Sequence, residues 1–190
     1  MKLLEDRIRK DGVIKEGDVL KVDSFLNHRI DVSLLDKIGE EIYRLFKDKG
    51  VNKILTVEAS GIAVACMAAR YFDCPVVFAK KSRSSNISDS VYSSPVISYT
   101  HGCTNNILVS REFLSPEDRV LLVDDFLARG QALIGLADIV KQAGAEIVGA
   151  AAVIEKAYQG GGDIIKSMGI ELHSLARIKS MSVAEGIEFC

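Results

Sequence analysis

The chain has 190 residues and a net charge of -2, from 24 Lys and Arg against 26 Asp and Glu. A hydrophobic share of 48% beside a charged share of 26% is typical of a globular protein and excludes a disordered one. At ~150 residues per domain, this length predicts a single domain over residues 1–190. The near-neutral balance disfavours a DNA or RNA partner, which would be attracted by a basic excess.

Apolar runs in the chain fall far short of the ~20 residues that cross a bilayer, and residues 1–12 are too charged for a signal peptide. The four cysteines are scattered without paired spacing, which favours neither a zinc site nor a disulfide framework. We therefore expect a cytoplasmic protein with no membrane partner and no metal-ligating residue set.

Helix-like and strand-like patterns alternate along the chain. The helices are expected over 33–50 (with Ser33 as N-cap), 62–71, 132–143 and 163–168. The strands are expected over 54–57, 75–78, 120–123, 147–154 and 170–175. This alternation predicts an α/β fold with a mainly parallel, doubly wound sheet flanked by helices. Ligands of such sheets bind beyond the carboxyl ends of the strands.

Two regions interrupt this alternation. Residues 11–30 contain short β segments before the first long helix, which indicates a small subdomain. Residues 80–106 are rich in Ser, Asn and Thr. Because connections of this length are usually functional or mobile, we expect a flexible loop there.

The most informative stretch is VLLVDDFLARGQA, over residues 120–132. An apolar strand is followed by two adjacent acids, Asp124 and Asp125, and then by a small-residue loop that opens a helix. Amides and the dipole at a helix start suit a phosphate, and Gly130 lets the backbone approach it. Adjacent carboxylates accept hydrogen bonds from vicinal hydroxyls or hold water around Mg²⁺. A sugar-phosphate site is the functional interpretation, and a plain strand end with a turn glycine is the alternative.

The order of these residues resembles the phosphoribosyl pyrophosphate (PRPP) motif of the type I phosphoribosyltransferase family. The resemblance covers nearly the whole chain and is greatest to the xanthine subgroup, through VLKVDSFLNHRID, VEASGIA, VVFAKKS, IVKQAGA, VIEKAYQ and SLARI. It implies the type I fold, with a small base-binding hood over residues 11–30 and an active-site loop over 80–106. It also implies a homodimer that transfers the 5-phosphoribosyl group of PRPP to N9 of xanthine, with Mg²⁺ as cofactor.

The resemblance further implies which residues form the site. Asp124 and Asp125 would bind the ribose hydroxyls, and Lys81 would be catalytic. The other PRPP contacts would be Ala128, Arg129, Gly130, Gln131 and Ala132 at the 5-phosphate, and Glu58, Ala59, Ser60 and Gly61 at the pyrophosphate. The purine contacts would be Leu20, Asn27 and Lys156. Many family members carry Thr or Ser in the phosphate loop; this chain has none there, which gives backbone amides and Gln131 more of the binding.

Two alternatives stay open. A guanine or hypoxanthine-guanine transferase would share the scaffold. Asn27 does not decide between these bases, because its side-chain amide can donate to a 2-oxo group or, flipped, accept from a 2-amino group. Lys156 can donate to a 6-oxo group, which disfavours adenine. A PRPP-sensing regulator on the same fold would bind nucleic acid; the net charge of -2 and the lack of a helix-turn-helix segment ahead of the domain disfavour it.

Overall fold

The computed structural model describes residues 1–82, 90–98 and 103–190. Its helices are α1 (Lys2–Asp11), α2 (Val32–Phe46), α3 (Ser60–Phe72), α4 (Gln131–Ala143) and α5 (Gly161–Ser167). The first five strands are β1 (Val13–Lys15), β2 (Val19–Lys21), β3 (Lys53–Val57), β4 (Val76–Ala79) and β5 (Val91–Ser98). The other strands are β6 (Cys103–Ser110), β7 (Arg119–Leu127), β8 (Glu146–Lys156), β9 (Leu172–Ser182) and β10 (Gly186–Phe189). A π-helical turn (Asp23–Asn27) precedes α2.

Within the described residues, a six-stranded sheet in the order β10-β9-β8-β7-β3-β4 forms the centre of the fold. Strands β4, β3, β7, β8 and β9 run parallel, and β10 is antiparallel to β9. Two antiparallel hairpins, β1–β2 and β5–β6, lie outside this sheet. The predicted α/β sheet is therefore present, with an antiparallel edge strand that the sequence pattern did not indicate.

Apolar side chains cover both faces of the sheet. Along β7, Leu121 and Val123 belong to the core formed with α1, α2 and α3. Their neighbours Val120 and Leu122 belong to the opposite core, formed with α4 and the β5–β6 hairpin. The continuous apolar run of β7 is thus explained by burial on both faces.

Strands β3 and β7 separate towards their carboxyl ends. Their pairing ends at Leu55 and Leu122, although both strands continue. The helix after β3 packs on one face of the sheet and the helix after β7 on the other. A crevice therefore opens between the two strand ends.

Several predicted element ends need correction: the helix predicted over 33–50 ends at Phe46, and the strand predicted over 170–175 is β9, which continues to Ser182. The N-cap of α2 is Asp31 and not Ser33, because the Asp31 carboxylate accepts a hydrogen bond from the Leu34 N–H at 3.2 Å. The strand predicted over 120–123 continues to Leu127, because β8 pairs with it as far as Glu155. The two acids consequently lie inside a strand and not beyond it.

Other differences lie at the chain ends and in the long connection. Helix α1 was not predicted, because most of its residues are charged and only Leu4 and Ile8 form its buried face. Part of the loop expected over 80–106 forms the β5–β6 hairpin. Residues 83–89 and 99–102 of that loop lie outside the described residues, so its flexibility stays a prediction. No helix in the described ranges is long and apolar enough to cross a membrane.

Candidate active site

A cleft of about 750 Å³ lies at the carboxyl ends of the central strands. It is lined by the ends of β3, β7 and β8, by the loop from β7 to α4, and by the turn of the β1–β2 hairpin. The predicted site residues that line it are Glu58, Ser60, Lys81, Asp124, Asp125, Ala128, Arg129, Gly130, Gln131, Ala132 and Lys156. Residues distant in sequence thus meet at the edge of the sheet where the α/β pattern predicted a ligand.

Two adjacent carboxyl groups form the floor of the cleft. Asp124 is 5% exposed and Asp125 is 8% exposed, and the N–H of Asp125 donates to Oδ1 of Asp124 at 3.0 Å. Burial, and next the negative charge of Asp125, raise the pKa of Asp124 well above its usual value, while the charge of Lys81 opposes this shift. Buried like-charged acids in a cleft are typical of a functional site and unusual at a plain strand end.

The loop between β7 and α4 exposes backbone donors to the cleft. Gly130 has a φ of 79°, in the left-handed region that glycine adopts without strain, and α4 begins at the next residue. The amide of Ile134 donates to the Gly130 carbonyl, so the amides of Gln131 and Ala132 precede the first bond of the helix. Together with the positive end of the helix dipole, these amides suit a phosphate group.

The turn after β3 contains a cis peptide bond between Glu58 and Ala59. The Glu58 carboxylate accepts a hydrogen bond from the backbone N–H of Lys81 at 2.6 Å, and the Glu58 N–H donates to the Ala79 carbonyl at 3.1 Å. The turn is therefore joined to the end of β4 and to the start of the long connection. This contact places Lys81 on the cleft beside the acids.

The hairpin β1–β2 covers the other side of the cleft. Lys156, the last residue of β8, donates from Nζ to the backbone carbonyl of Asp18 in the hairpin turn. Burial lowers the pKa of Lys156 below its usual value, and the charge of Asp18 opposes that shift. A half-buried amino group thus faces the cleft between the hairpin and the sheet.

The comparison with known families decides the assignment. Residues 21–169 match the profile of the family described as phosphoribosyl transferase domain. The chain belongs to the phosphoribosyl transferase family.

Individual relatives are similar in sequence to this phosphoribosyltransferase over nearly its full length. The xanthine phosphoribosyltransferase of Lachnoclostridium phytofermentans is 55% identical over 186 residues, which are 98% of this chain and 96% of the relative. The xanthine phosphoribosyltransferase of Pediococcus pentosaceus is 50% identical over 189 residues and covers 100% of both chains. In fold, the crystal structure of adenine phosphoribosyltransferase from Rhodothermus marinus matches with a TM-score of 0.75 and 21% identity, covering 93% of this chain and 99% of that one. The predicted type I phosphoribosyltransferase fold is confirmed.

Some predicted residues of this phosphoribosyltransferase are not among the described residues that line the cleft. Ala59 follows Glu58 in the turn and is exposed, whereas Gly61 is the second residue of α3 and is buried. Leu20 is 7% exposed and packs in the core on strand β2, whereas Asn27 is exposed at the end of the π-helical turn. Leu20 and Asn27 are absent from the described residues that line the cleft, so their contacts with a base stay predictions.

Sequence reasoning missed other residues that line the cleft of this phosphoribosyltransferase. They include Gly17, Asp18, Val19, Val57, Val96, Asn105, Ile107 and Gln159. A local signal existed for the first three, since Gly-Asp between two short β segments is typical of a hairpin turn. The residues of the β5–β6 hairpin gave no such signal, because only the tertiary fold carries them to the cleft.

Gly61 gives a test of the packing beneath the turn. A Cβ at Gly61 would overlap Oγ1 of Thr56, which is fully buried. We expect Gly61→Ala to lower the free energy of unfolding by about 1–3 kcal/mol, measured by urea denaturation. In a Thr56→Ala background, where Oγ1 is gone, the penalty should shrink; in a Thr56→Val background it should persist. An equal loss of unfolding free energy in all three backgrounds would show that the overlap with Thr56 is not the cause of the destabilisation.

Proposed function

We propose that this phosphoribosyltransferase transfers the 5-phosphoribosyl group of PRPP to N9 of xanthine, giving XMP and pyrophosphate. The observation that carries the proposal is the meeting, in one cleft, of the buried acid pair, the phosphate loop and Lys156. The activity named for the curated relatives supports xanthine as the base. The same meeting supports an enzyme over a PRPP sensor, since Lys156 offers the base a donor.

The acid pair binds and orients the ribose. Asp124 and Asp125 accept hydrogen bonds from the vicinal hydroxyls of PRPP. As the bond from C1′ to pyrophosphate breaks, positive charge develops on the sugar, and fixed negative charge nearby is most stabilising at that stage. The reaction needs no covalent nucleophile from the protein.

Backbone groups hold the two ends of PRPP. The loop Ala128–Ala132 binds the 5-phosphate through its amides, with Gln131 as an added donor. The turn Glu58–Gly61 binds the departing pyrophosphate, and Lys81 supplies a positive charge on that side of the cleft. The charge of Arg129 adds to the field around the 5-phosphate.

The acid pair also fits Mg²⁺ that arrives with PRPP. Among the described residues, no three His, Cys, Asp or Glu side chains group together as ligands. Mg²⁺ characteristically keeps waters and substrate phosphates and uses only one or two protein carboxylates, which Asp124 and Asp125 provide. When bound, the ion neutralises charge on the pyrophosphate.

Lys156 selects the base by donating to the 6-oxo group, which adenine lacks. To do so it exchanges the Asp18 carbonyl for the purine oxygen. Asn27 at the 2-oxo group and Leu20 against the ring complete the site that we propose.

The direct test measures pyrophosphate release from PRPP with xanthine, guanine, hypoxanthine and adenine in parallel. We expect the highest kcat/KM with xanthine. A preference for guanine or hypoxanthine would replace xanthine in the proposal. PRPP binding without release for any base would instead indicate a PRPP sensor.

Lys156→Ala should lower kcat/KM for xanthine by about 10–100-fold, because a charged hydrogen bond to the base is lost. The low activity with adenine should change little, so that the ratio between the two bases narrows. Lys179→Ala is the matched control, since Lys179 is exposed and pairs with Glu188 on β10. Unchanged xanthine and adenine kinetics in Lys156→Ala would remove Lys156 from the base site.

We also propose that the enzyme is a cytoplasmic homodimer, as the family resemblance implies. Light scattering of the purified protein tests the dimer directly. A mass of 20.7 kDa, that of one chain, would contradict it.

A further inference from the structure

A glycine-rich turn supports the phosphate loop from below. Gly160 is the N-cap of α5, and Gly161 and Gly162 are its first two residues; these three form the Gly160–Gly162 turn. The N–H of Gly161 donates to the carbonyl of Ala128 at 3.1 Å. A Cβ at Gly161 would overlap that carbonyl oxygen and lie 2.6 Å from the nitrogen of Gly130. The phosphate loop therefore rests backbone to backbone on this turn, at the residue whose amide precedes α4.

A buried carboxylate lies on the far side of the same turn. Glu155 is 3% exposed, and its Oε2 accepts a hydrogen bond from Nε of Arg177 on β9 at 2.8 Å. Its Oε1 occupies the space that a side chain at Gly162 would need. Glu155 therefore contacts both β9 and the start of α5, and removing its charge would leave the Arg177 guanidinium without its partner.

We propose that the Gly160–Gly162 turn, anchored by Glu155 and Arg177, sets the position of the phosphate loop, so that Gly161 and Glu155 are positioning residues for the 5-phosphate. The inference rests on the proposed role of the loop Ala128–Ala132. PRPP and XMP carry the 5-phosphate, whereas pyrophosphate does not. A positioning role thus predicts that the affinity for PRPP and XMP falls while the affinity for pyrophosphate is kept. A general loss of folding predicts that the affinity falls for all three ligands.

Gly161→Ala tests the turn directly. Gly161 lies outside the left-handed region, so its backbone conformation allows alanine, and the three heavy atoms nearest to an added Cβ all belong to the loop. We expect the inhibition constant for XMP and the KM for PRPP to rise about 10-fold or more, because the amides move away from the phosphate. The inhibition constant for pyrophosphate should stay within about 2-fold. Unchanged XMP affinity, or equal weakening of XMP and pyrophosphate, would overturn the role of Gly161.

Glu155→Gln tests the anchor, with Glu188→Gln as the matched control. Glu188 also accepts hydrogen bonds from side chains of β9, those of Lys179 and Ser180. Unlike Glu155 it is exposed, and it lies on the edge strand β10. We expect Glu155→Gln to weaken XMP about 3–10-fold with pyrophosphate unchanged, and Glu188→Gln to alter neither. Identical behaviour of the two variants would overturn the role of Glu155.

The wild-type protein separates this inference from the proposed function. If it releases no pyrophosphate from PRPP with any base, the proposed function fails. If it is active and Gly161→Ala binds XMP as tightly as wild type, only the positioning inference fails.

Discussion

Replacing Asp124 and Asp125 together with asparagine is expected to lower kcat by about 10²–10³-fold or more, because removing a single preorganised electrostatic group from a transition state already costs about that much. The amides keep the shape of the pair and its capacity to accept hydrogen bonds, but they remove the negative charge beside the developing cation. Because the fold is retained, PRPP should still bind. Turnover with saturating xanthine and PRPP is the measurement.

The control for this double variant is Asp138→Asn. Asp138 lies on α4, where it accepts a hydrogen bond from Gln142 at 2.9 Å, and it does not belong to the described lining of the cleft. Its removal should leave kcat unchanged. Near wild-type kcat in the double variant would mean that the pair does not serve the reaction.

Asp124→Asn alone is expected to stabilise the protein at neutral pH by roughly 1–3 kcal/mol. The cause is that burial and the charge of Asp125 make ionised Asp124 unfavourable in the folded state. Asparagine removes that charge while its oxygen still accepts from the Asp125 N–H. The free energy of unfolding, from urea denaturation at pH 7, is the measurement.

The stability difference between Asp124→Asn and wild type is expected to depend on pH. A carboxyl whose pKa is raised on folding binds a proton more readily in the folded state, so its contribution to stability improves as pH falls from neutral towards its ordinary pKa. The advantage of Asp124→Asn over wild type should therefore be largest at neutral pH and shrink on acidification. An advantage that is constant with pH, or a loss at neutral pH, would contradict the buried-charge account. Asp138→Asn again serves as the control, because that substitution should show no such trend.

The parts of the site that follow one another in sequence were predictable from sequence. The stretch from Val120 to Ala132 indicated a strand that carries the acids to the cleft, followed by a loop and a helix, because these features are encoded by neighbouring residues. The length of β7 was underestimated, since acids are rare inside strands and only the pairing with β8 shows that the strand continues to Leu127.

Contacts between distant segments were not predictable in the same way. The contact of Lys156 with Asp18 joins residues 138 positions apart, and no periodicity in either segment indicates it. Glu155 beside Lys156 reads as a solvated acid at a strand end, yet the fold buries it against Gly162. Leu20 and Asn27 are the reverse case, because the family resemblance predicts their roles and the described cleft does not include them.

The position of the β1–β2 hairpin outside the central sheet has a consequence for base recognition. The groups that we propose as PRPP contacts lie at strand ends and helix starts, and so their positions depend on the central sheet. The hairpin turn that meets Lys156 comes from outside the sheet. In the function that we propose, base choice therefore depends on a contact between two units, Lys156 at the end of β8 and the turn of a hairpin that is not part of the sheet.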